Sequence, residues 1–429
     1  MVILIYFVVL CVFLVIGTSV PIAFGGVLVA IAFLSDHDVS AFLPTGHWKM
    51  NTLVLLAIPL FILAGGLMER GRIAAPLVNL AEVCIGWIRG GLASATVISS
   101  AIFGAISGSA AATLTCIGSV MLPHLRRTQH DEGASAALVV SAAPLGLLIP
   151  PSSAQIIYAW VTQQSVLKCF LSTIVPGLIL VVLLCLTNTF ILKNIGSGHD
   201  RAYQGAWPKA FARESKRSFA ALLIPVFILG GIYGGFMTPT EAAGFAVIYA
   251  FLIGFFVYRG LNLRSAAAVL RESAITIGVV MVMIFMVLTV SRFLIFENIP
   301  GMVLSLVGAV SDSPIIILLL VNLALVLIGM VMDDISSMLL SAPLLLPVVS
   351  HVGVDPIHFA AILGVNLGMA NITPPTAPLL YLGARTAGVS VNQMLRPTLI
   401  FILFAWLPTL MLTTFVPNTA LWLPGVFFD

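Results

Sequence analysis

Twelve apolar runs cover most of this sequence and limit its fold more than any other feature does. They extend over about residues 1–18, 21–36, 50–69, 92–123, 133–163, 171–192, 219–237, 240–258, 273–296, 313–350, 357–384 and 397–417. Soluble domains carry about 25% charged residues, whereas this chain carries 8% and is 60% hydrophobic. A bilayer core takes about 20 apolar residues per helix, and the runs lack the period-two alternation of a membrane barrel. The sequence therefore predicts an all-α polytopic membrane protein.

Two of the runs are interrupted by clusters of small and polar residues near their middles. These are the runs at about 92–123 and 313–350. Irregular backbone at membrane depth is tolerated only where protein covers it or where it lines a cavity. Each interrupted run therefore predicts a re-entrant helical hairpin, which enters and leaves on the same side of the membrane.

The distribution of charge predicts the orientation of the chain. Lysine and arginine collect in loops around residues 70–72, 126–127, 193–217 and 259–271, and such loops lie in the cytoplasm. Glu297, Asp312 and Asp355 fall in loops predicted on the other side. If the interrupted runs are hairpins, these loops alternate over ten crossings and both termini are periplasmic. If they are full spans, arginines are scattered onto both faces.

The second half of the chain repeats the pattern of the first. One constant offset in the numbering relates Pro123 to Pro347, and the Pro-Pro pair at 150–151 to the pair at 374–375. Each Pro-Pro pair predicts a break in a helix, at about 133–163 and 357–384. We predict a first copy at 1–192, a cytoplasmic linker at 193–218 and a second copy at 219–429. Five crossings per copy make the second copy inverted.

An inverted repeat with broken helices is typical of a secondary transporter whose site lies near the membrane midplane. Proline also kinks helices for purely structural reasons. A structural membrane protein with two kinked helices is therefore the alternative. Polar hairpins and Pro-Pro breaks at corresponding places in both copies favour the transporter.

The hairpin tips and the breaks supply oxygen atoms for a coupling cation. Neither proline of the first pair can donate a backbone hydrogen bond, so carbonyls one turn earlier are released. Such carbonyls, with hydroxyl and amide oxygens, bind sodium in broken-helix transporters. The candidate sodium ligands are Ser107, Gly108, Ser109, Thr113, Pro150, Gly329, Asp333, Asn366, Gly368, Asn371, Thr373 and Pro374. For the single hydroxyls, small-residue helix packing with a bond to the preceding turn is the alternative.

Helix N-termini at the same places attract anions because their backbone dipoles are positive there. This arrangement favours an organic anion as the substrate. The candidate substrate-binding residues are Ser109, Ala110, Pro151, Ser152, Ser153, Pro375 and Thr376. Asp333 and Asp334 are acidic residues inside a membrane segment and hence functional candidates; a solvated tip is the alternative for one of them. Asp333 occupies the position that pairs with Ser109.

Several motifs resemble the large, M-type permease subunit of TRAP (tripartite ATP-independent periplasmic) transporters. The matching stretches are Ala57 to Phe61, Ser107 to Ala111, Ile149 to Ser152 with Ile157-Tyr158, Thr238 to Ala243, Gly329 to Asp333 with Pro343 and Pro347, and Thr373 to Pro375. They follow the family's order over nearly the whole chain. One departure is an additional proline, Pro378, after the second break.

The resemblance implies an elevator mechanism, in which a transport domain of hairpins and broken helices slides against a scaffold domain. It also implies sodium binding at the tips and breaks, and no cofactor besides this coupling ion. The implied partners are a separate small four-helix membrane subunit, a periplasmic substrate-binding protein and the lipid of the bacterial inner membrane. The substrate would be a carboxylate or sugar acid such as a dicarboxylate or sialic acid.

Two other functions stay open at this level. A stand-alone dicarboxylate or anion transporter of the same superfamily would need no binding protein, but the sequence lacks the Asn-Thr tip signature of such carriers. A membrane enzyme would need clustered intramembrane acids or histidines. Four lone histidines, His124, His130, His351 and His358, are expected in or near loops, and most of them are expected to be solvated. A net charge of +3 gives no indication of nucleic-acid binding.

Overall fold

The computed structural model describes residues 8–10, 12–13, 16–34, 43–86, 90–191 and 207–428. All regular secondary structure in these ranges is helical, which confirms the all-α prediction. Most of the first apolar run, residues 192–206 of the chain and Asp429 lie outside the described residues, so the N-terminal crossing and the first part of the linker stay predictions.

The first half of the chain forms ten of the helices that we number here. They are α1 (Val20–Leu34), α2 (Leu43–Met50), α3 (Ala57–Arg70), α4 (Ala74–Ile85), α5 (Gly91–Ser107), α6 (Ala110–Arg127), α7 (Glu132–Ala142), α8 (Leu145–Leu148), α9 (Ser153–Thr162) and α10 (Val166–Leu186). A 3₁₀ turn at Leu53–Leu56 precedes α3, and a π-helical turn at Thr187–Ile191 follows α10.

The second half continues with longer helices. They are α11 (Trp207–Tyr233), α12 (Pro239–Leu252), α13 (Leu263–Phe296), α14 (Ile299–Val310), α15 (Pro314–Val331), α16 (Asp334–His351), α17 (Pro356–Ala370), α18 (Pro378–Ala387), α19 (Val391–Phe401), α20 (Leu407–Phe415) and α21 (Asn418–Phe428). Every residue of α17 from Ile357 to Ala370 is buried, so this broken helix lies in the core of the bundle.

Eight helical segments within the described residues are long and apolar enough to cross a membrane. A ninth candidate is the pair Glu132–Leu148 and Ser153–Thr162, which is bent by 41° at the first Pro-Pro pair. The polytopic prediction is confirmed. The number of crossings and the sides of the termini stay predictions. The two arms of the second hairpin, α15 and α16, are each long enough to span on their own.

The helices that follow each break pack against the other half of the chain. α9, after the first break, packs against α16 of the second hairpin, and α18, after the second break, packs against α6 of the first. In the same reciprocal way α7 packs against α19 and α17 packs against α10. The offset that relates the two Pro-Pro pairs also relates the first residues of α6 and α16, and of α7 and α17. Two equivalent copies would produce such paired contacts, and the division into two copies stays a prediction.

The end of the predicted linker is helical rather than a loop. Residues 207–218 form the first turns of α11. The Trp207 indole N–H donates to the Val83 carbonyl at 3.0 Å, and the Ser218 hydroxyl donates to the Pro76 carbonyl at 2.7 Å. These bonds hold the polar start of α11 against α4. Helix α4 has 12 residues, fewer than the about 20 that a membrane-crossing helix takes.

His358 is an exception to the expectation that most of the lone histidines are solvated. Its exposed fraction is 2%, and its Nε2 lies 2.7 Å from the Thr413 carbonyl oxygen. Asp355 caps α17 by accepting from the backbone N–H groups of Ile357 and His358. The position of His358 beside the start of an apolar run suggests a loop. Packing against α20, however, buries the first turn of α17, which contains His358.

Candidate functional site

The first hairpin turns through two residues, Gly108 and Ser109. α5 ends at Ser107, and Gly108 then adopts the left-handed conformation, with φ of 62°. Ser109 is extended and caps α6 through a bond from the Ala112 N–H to its hydroxyl, at 3.4 Å. The tip is therefore a tight turn between the C-terminus of one helix and the N-terminus of the next.

The buried hydroxyls at this tip bond to each other and to backbone. Thr113 Oγ1 lies 3.1 Å from Ser107 Oγ and donates to the Ser109 carbonyl at 2.8 Å. The second contact is the bond to the preceding turn that the packing alternative expected. Each hydroxyl oxygen still has lone-pair capacity, because a hydroxyl can donate once and accept twice.

The first tip touches the first break directly. The N–H and the hydroxyl of Ser153 donate to the Gly108 carbonyl at 3.2 and 3.0 Å. A Cβ on Gly108 would lie 2.5 Å from the Pro151 carbonyl oxygen, so only glycine allows this approach. The Pro150–Pro151 peptide bond is cis. The fold thus brings the candidate residues of the first copy together.

The first break provides two backbone carbonyls without their helical N–H donors and one side-chain hydroxyl without a described partner. In a continuous helix the carbonyls of Gly146 and Leu147 would accept from residues 150 and 151, but prolines have no N–H. Ser152 is fully buried, and no donor or acceptor among the described residues partners its hydroxyl. Buried polar atoms of this kind cost free energy unless a ligand, ion or water satisfies them.

At the second tip, a carboxylate takes the place of the serine. Asp333 caps α16 by accepting from the Ile335 N–H at 3.2 Å and from the Ser336 hydroxyl at 2.5 Å. The Ser337 hydroxyl is fully buried and has no partner within the described structure. The offset that pairs Ser109 with Asp333 also pairs Thr113 with Ser337, so equivalent tip positions carry buried hydroxyls in both copies.

The second tip also lies against its own break. A Cβ on Gly329 would lie 2.6 Å from the Ala370 Cβ and 3.1 Å from Leu367 Cδ2, which shows how closely α15 approaches α17. Asn371 ends α17, and its side-chain Oδ1 is buried with no donor found in the described part of the chain. Thr373 donates its hydroxyl to the Met369 carbonyl at 2.7 Å.

The two breaks differ in their backbone bonding. The carbonyls that precede the second pair find donors: Ala370 accepts from the Thr373 N–H, and Asn371 accepts from the Leu379 N–H at 3.1 Å. The Pro374–Pro375 peptide bond is cis, as in the first pair. The second half therefore offers mainly side-chain oxygens, whereas the first half offers freed carbonyls.

Contacts between the broken helices join the two halves. The Gln155 side-chain amide donates to the Ala360 carbonyl at 3.1 Å. A Cβ on Gly368 would meet Pro144 and the Trp406 ring at 3.2 and 2.7 Å, so Gly368 fills a close packing contact. Pro375 and Thr376 are instead exposed, and no described contact brings them to the first half.

Sequence reasoning missed Asn322, which lies in the middle of α15. Its Nδ2 donates to Thr414 Oγ1 at 3.0 Å, and its Oδ1 accepts from Asn366 Nδ2 at 2.9 Å. A single amide within the apolar run at 313–350 was the available signal. In the described ranges, no group of three or more histidines, cysteines or acids could hold a metal.

The comparisons with known proteins decide the family. The family model described as "Tripartite ATP-independent periplasmic transporter, DctM component" matches residues 7–419. The chain belongs to this family. It is 35% identical to the C4-dicarboxylate TRAP transporter large permease protein DctM of Pseudomonas aeruginosa, over 86% of each chain. The resemblance drawn from the motifs is confirmed.

A second relative is longer than this chain. The isethionate TRAP transporter permease protein DctMQ of Oleidesulfovibrio alaskensis is 34% identical, and the match covers 96% of this chain but 65% of the relative. The chain thus spans somewhat less than two thirds of that protein. Both relatives are named as permeases, which agrees with a transporter rather than an enzyme.

A solved structure shares the fold. The YdaH transporter of Alcanivorax borkumensis, described as having an unusual topology, superposes with a TM-score of 0.61 and 15% sequence identity. The match covers 88% of this chain and 86% of that one. At this identity the likeness shows the fold alone.

Proposed function

We propose that this chain is the large membrane subunit of a sodium-driven TRAP transporter that imports a small organic anion. One observation carries the proposal: in each half a hairpin tip touches the break of the following helix. Both junctions combine a helix N-terminus with buried side-chain oxygens that find no donor among the described residues. Broken helices of this kind bind the substrate and the coupling ion in secondary transporters.

Sodium fits the chemistry of these junctions. Three side-chain oxygens are available: the hydroxyls of Ser152 and Ser337 and the Asn371 amide oxygen. The two prolines of the first pair also deprive the carbonyls of Gly146 and Leu147 of their helical donors. Neutral oxygens can coordinate a monovalent cation without burying excess negative charge. Asp333 adds one carboxylate at the second tip, where its oxygens also cap α16. Import of an anion with enough sodium ions to move net positive charge inward would use the membrane potential.

The organic anion is expected mainly at the first half of the site. Ser109 and Ser152 are the N-cap residues of α6 and α9, so neither N-terminus has a carboxylate cap. At the second tip the Asp333 carboxylate already occupies the N-terminus of α16. The positive end of a helix attracts an anion. The acid group of the substrate therefore competes with the Asp333 carboxylate at the second half but with no capping carboxylate at the first half. The two named relatives carry a dicarboxylate and isethionate, both small organic anions.

The interleaved halves support an elevator mechanism as part of this proposal. Hairpins α5–α6 and α15–α16 pack with the broken helices and with each other's following helices, so these elements form one body. Helix α3 packs against both α12 and α13, and these three helices would supply the scaffold. Movement of the first body against the second would carry both half-sites across the membrane together.

The expected setting is the bacterial inner membrane, with both termini in the periplasm. The chain would work with a small four-helix membrane subunit and receive its substrate from a periplasmic binding protein. The relative that is named DctMQ extends beyond the region matched by this chain.

Uptake into proteoliposomes tests the proposal. Both membrane subunits are reconstituted, loaded binding protein is added outside, and radiolabelled substrate is counted under an inward sodium or potassium gradient. We expect accumulation only with sodium and only with the binding protein. Equal accumulation under potassium would refute sodium coupling, and sodium-driven uptake without the binding protein would favour the stand-alone transporter.

A further inference from the structure

A chain of three buried polar side chains connects the second hairpin, the second broken helix and α20. Asn322 on α15 is 4% exposed, Asn366 on α17 is fully buried and Thr414 on α20 is 2% exposed. Asn322 donates to Thr414 Oγ1 at 3.0 Å and accepts from Asn366 at 2.9 Å. Nothing in the proposed transport cycle accounts for the central residue, Asn322.

The neighbours of Asn366 fix the orientation of its side-chain amide. Its Nδ2 lies 2.9 Å from the Ile362 carbonyl and 2.9 Å from Asn322 Oδ1, so both contacts require a donor at that position. Flipping the amide, so that its oxygen and nitrogen exchange places, would set the oxygen against two acceptors. The hydrogen bonds therefore leave Asn366 Oδ1 on the other side, where no described residue donates to it.

Asn366 and Asn322 lie on the seam that leads to the second tip. Along α15, Asn322 is two turns before Gly329, and along α17, Asn366 is one turn before Ala370. A rise of 1.5 Å per residue puts Asn366 about 6 Å along the helix from Ala370. Because Gly329 packs against Ala370, the free amide oxygen lies one turn from the tip–break junction.

We propose that Asn322 is a positioning residue for sodium coupling: it holds the Asn366 amide so that Oδ1 is directed at a sodium ion. This inference rests on the proposed function, because it assumes that sodium binds at the second half of the site. An acceptor-only oxygen in an apolar interior is costly unless a cation or a donor satisfies it. Asn322 itself has both of its polar atoms bonded to protein, so it acts through Asn366.

A set of isosteric variants tests the coupling between the two amides. Asn366→Leu removes the proposed ligand, Asn322→Leu removes its support, and the double variant removes both. Mutation of an outer residue that orients a metal ligand typically costs about 10–100-fold in affinity. We expect each single variant to raise the sodium concentration for half-maximal uptake by about tenfold. We expect the double variant to match Asn366→Leu, because residues that act as a unit are non-additive.

Thr414→Val is the matched control, because it also removes a hydrogen bond of Asn322 but leaves the contact with Asn366. We expect the sodium concentration for half-maximal uptake by this variant to stay within about twofold of that of the original protein, because only the hydrogen bond between Asn322 and Thr414 is lost. The half-saturating substrate concentration at saturating sodium should be unchanged in all variants. If Asn322→Leu does not fold, as judged by protein yield, Asn322→Ser replaces it. The thermal stability of the purified chain is then compared in sodium and in potassium.

The outcomes separate this inference from the proposed function. Uptake and thermal stability of the original protein that do not respond to sodium would refute sodium coupling itself. A sodium response of the original protein that Asn322→Leu leaves unchanged would overturn only the positioning role. Additive effects in the double variant, or an equal loss of substrate affinity at saturating sodium, would overturn it as well.

Discussion

At the scale of single residues, Gly108 is the most tightly constrained position of the candidate site. It combines a left-handed backbone with φ of 62°, a close approach to the Pro151 carbonyl and a carbonyl that accepts two bonds from Ser153. Side-chain-bearing residues adopt this conformation at a cost, and a Cβ would also displace the break. The glycine thus keeps the first tip in contact with the first break.

Gly108→Ala is expected to weaken both the fold and transport. The left-handed conformation alone costs about 1–2 kcal/mol for alanine, and the contact with Pro151 adds to that loss. The melting temperature of the purified chain should fall and sodium-dependent uptake should be strongly reduced. Gly244→Ala is the control, because a Cβ there meets nothing within 4 Å in the middle of α12. Equal melting temperatures for both variants would contradict this account of the tip.

The sequence predicts many site residues but not their bonds. Ser107, Ser109 and Asp333 could be chosen because polar residues interrupt apolar runs. Asn322 escaped notice because its role depends on its neighbours on α17 and α20, which are distant in the sequence. Which buried oxygen lacks a donor is likewise a property of tertiary contacts, and a single sequence does not reveal it.

At the scale of helices and hairpins, local chemistry predicts the boundaries well. The apolar pattern predicts the first hairpin at about 92–123, and its helices span Gly91–Ser107 and Ala110–Arg127. The Pro-Pro pairs interrupt both broken helices where expected, because proline cannot donate to the helix ladder. The short helix α4 and the helical end of the linker were missed, since packing rather than a long apolar run stabilises them.

Equivalent ends of the two hairpins are predicted on opposite sides of the membrane. Arg127 ends α6 and His351 ends α16 at the corresponding place in the repeat, and both side chains are exposed. In a chain without its native cysteines, we expect a membrane-impermeant maleimide to label His351→Cys from the periplasm. Arg127→Cys should react only after permeabilisation, because basic loops stay in the cytoplasm. Labelling of both positions from one side in intact cells would rule out the inverted arrangement.

At the scale of the whole molecule, the two halves are interleaved rather than merely adjacent. Each helix that follows a break packs on the opposite half, and Gln155 bonds the two broken helices together. The constant offset between the motifs predicts two similar copies. It does not predict this exchange of partners, in which helices of one copy pack against the other copy. The exchange follows from packing, since part of the apolar surface of the broken helices is buried against the other copy.

In the proposed elevator mechanism, this arrangement makes the two tips parts of one transport body. Loss of an oxygen at either tip should therefore affect the same sodium-dependent step, although Ser109 and Asp333 belong to different halves. A serine elsewhere on the surface should have no such effect. Ser305 on α14 is an exposed serine of this kind, with a hydroxyl that bonds only within its own helix.

The most direct test of this central claim is a sodium titration of uptake by the variants Ser109→Ala, Asp333→Ala and Ser305→Ala, each reconstituted with its partner proteins. We expect the first two to raise the sodium concentration for half-maximal uptake by about tenfold, as for loss of a metal-site contact, at unchanged protein yield. Ser305→Ala should titrate like the original protein. Unchanged sodium titrations for both tip variants would contradict the assignment of the site to the two hairpin tips.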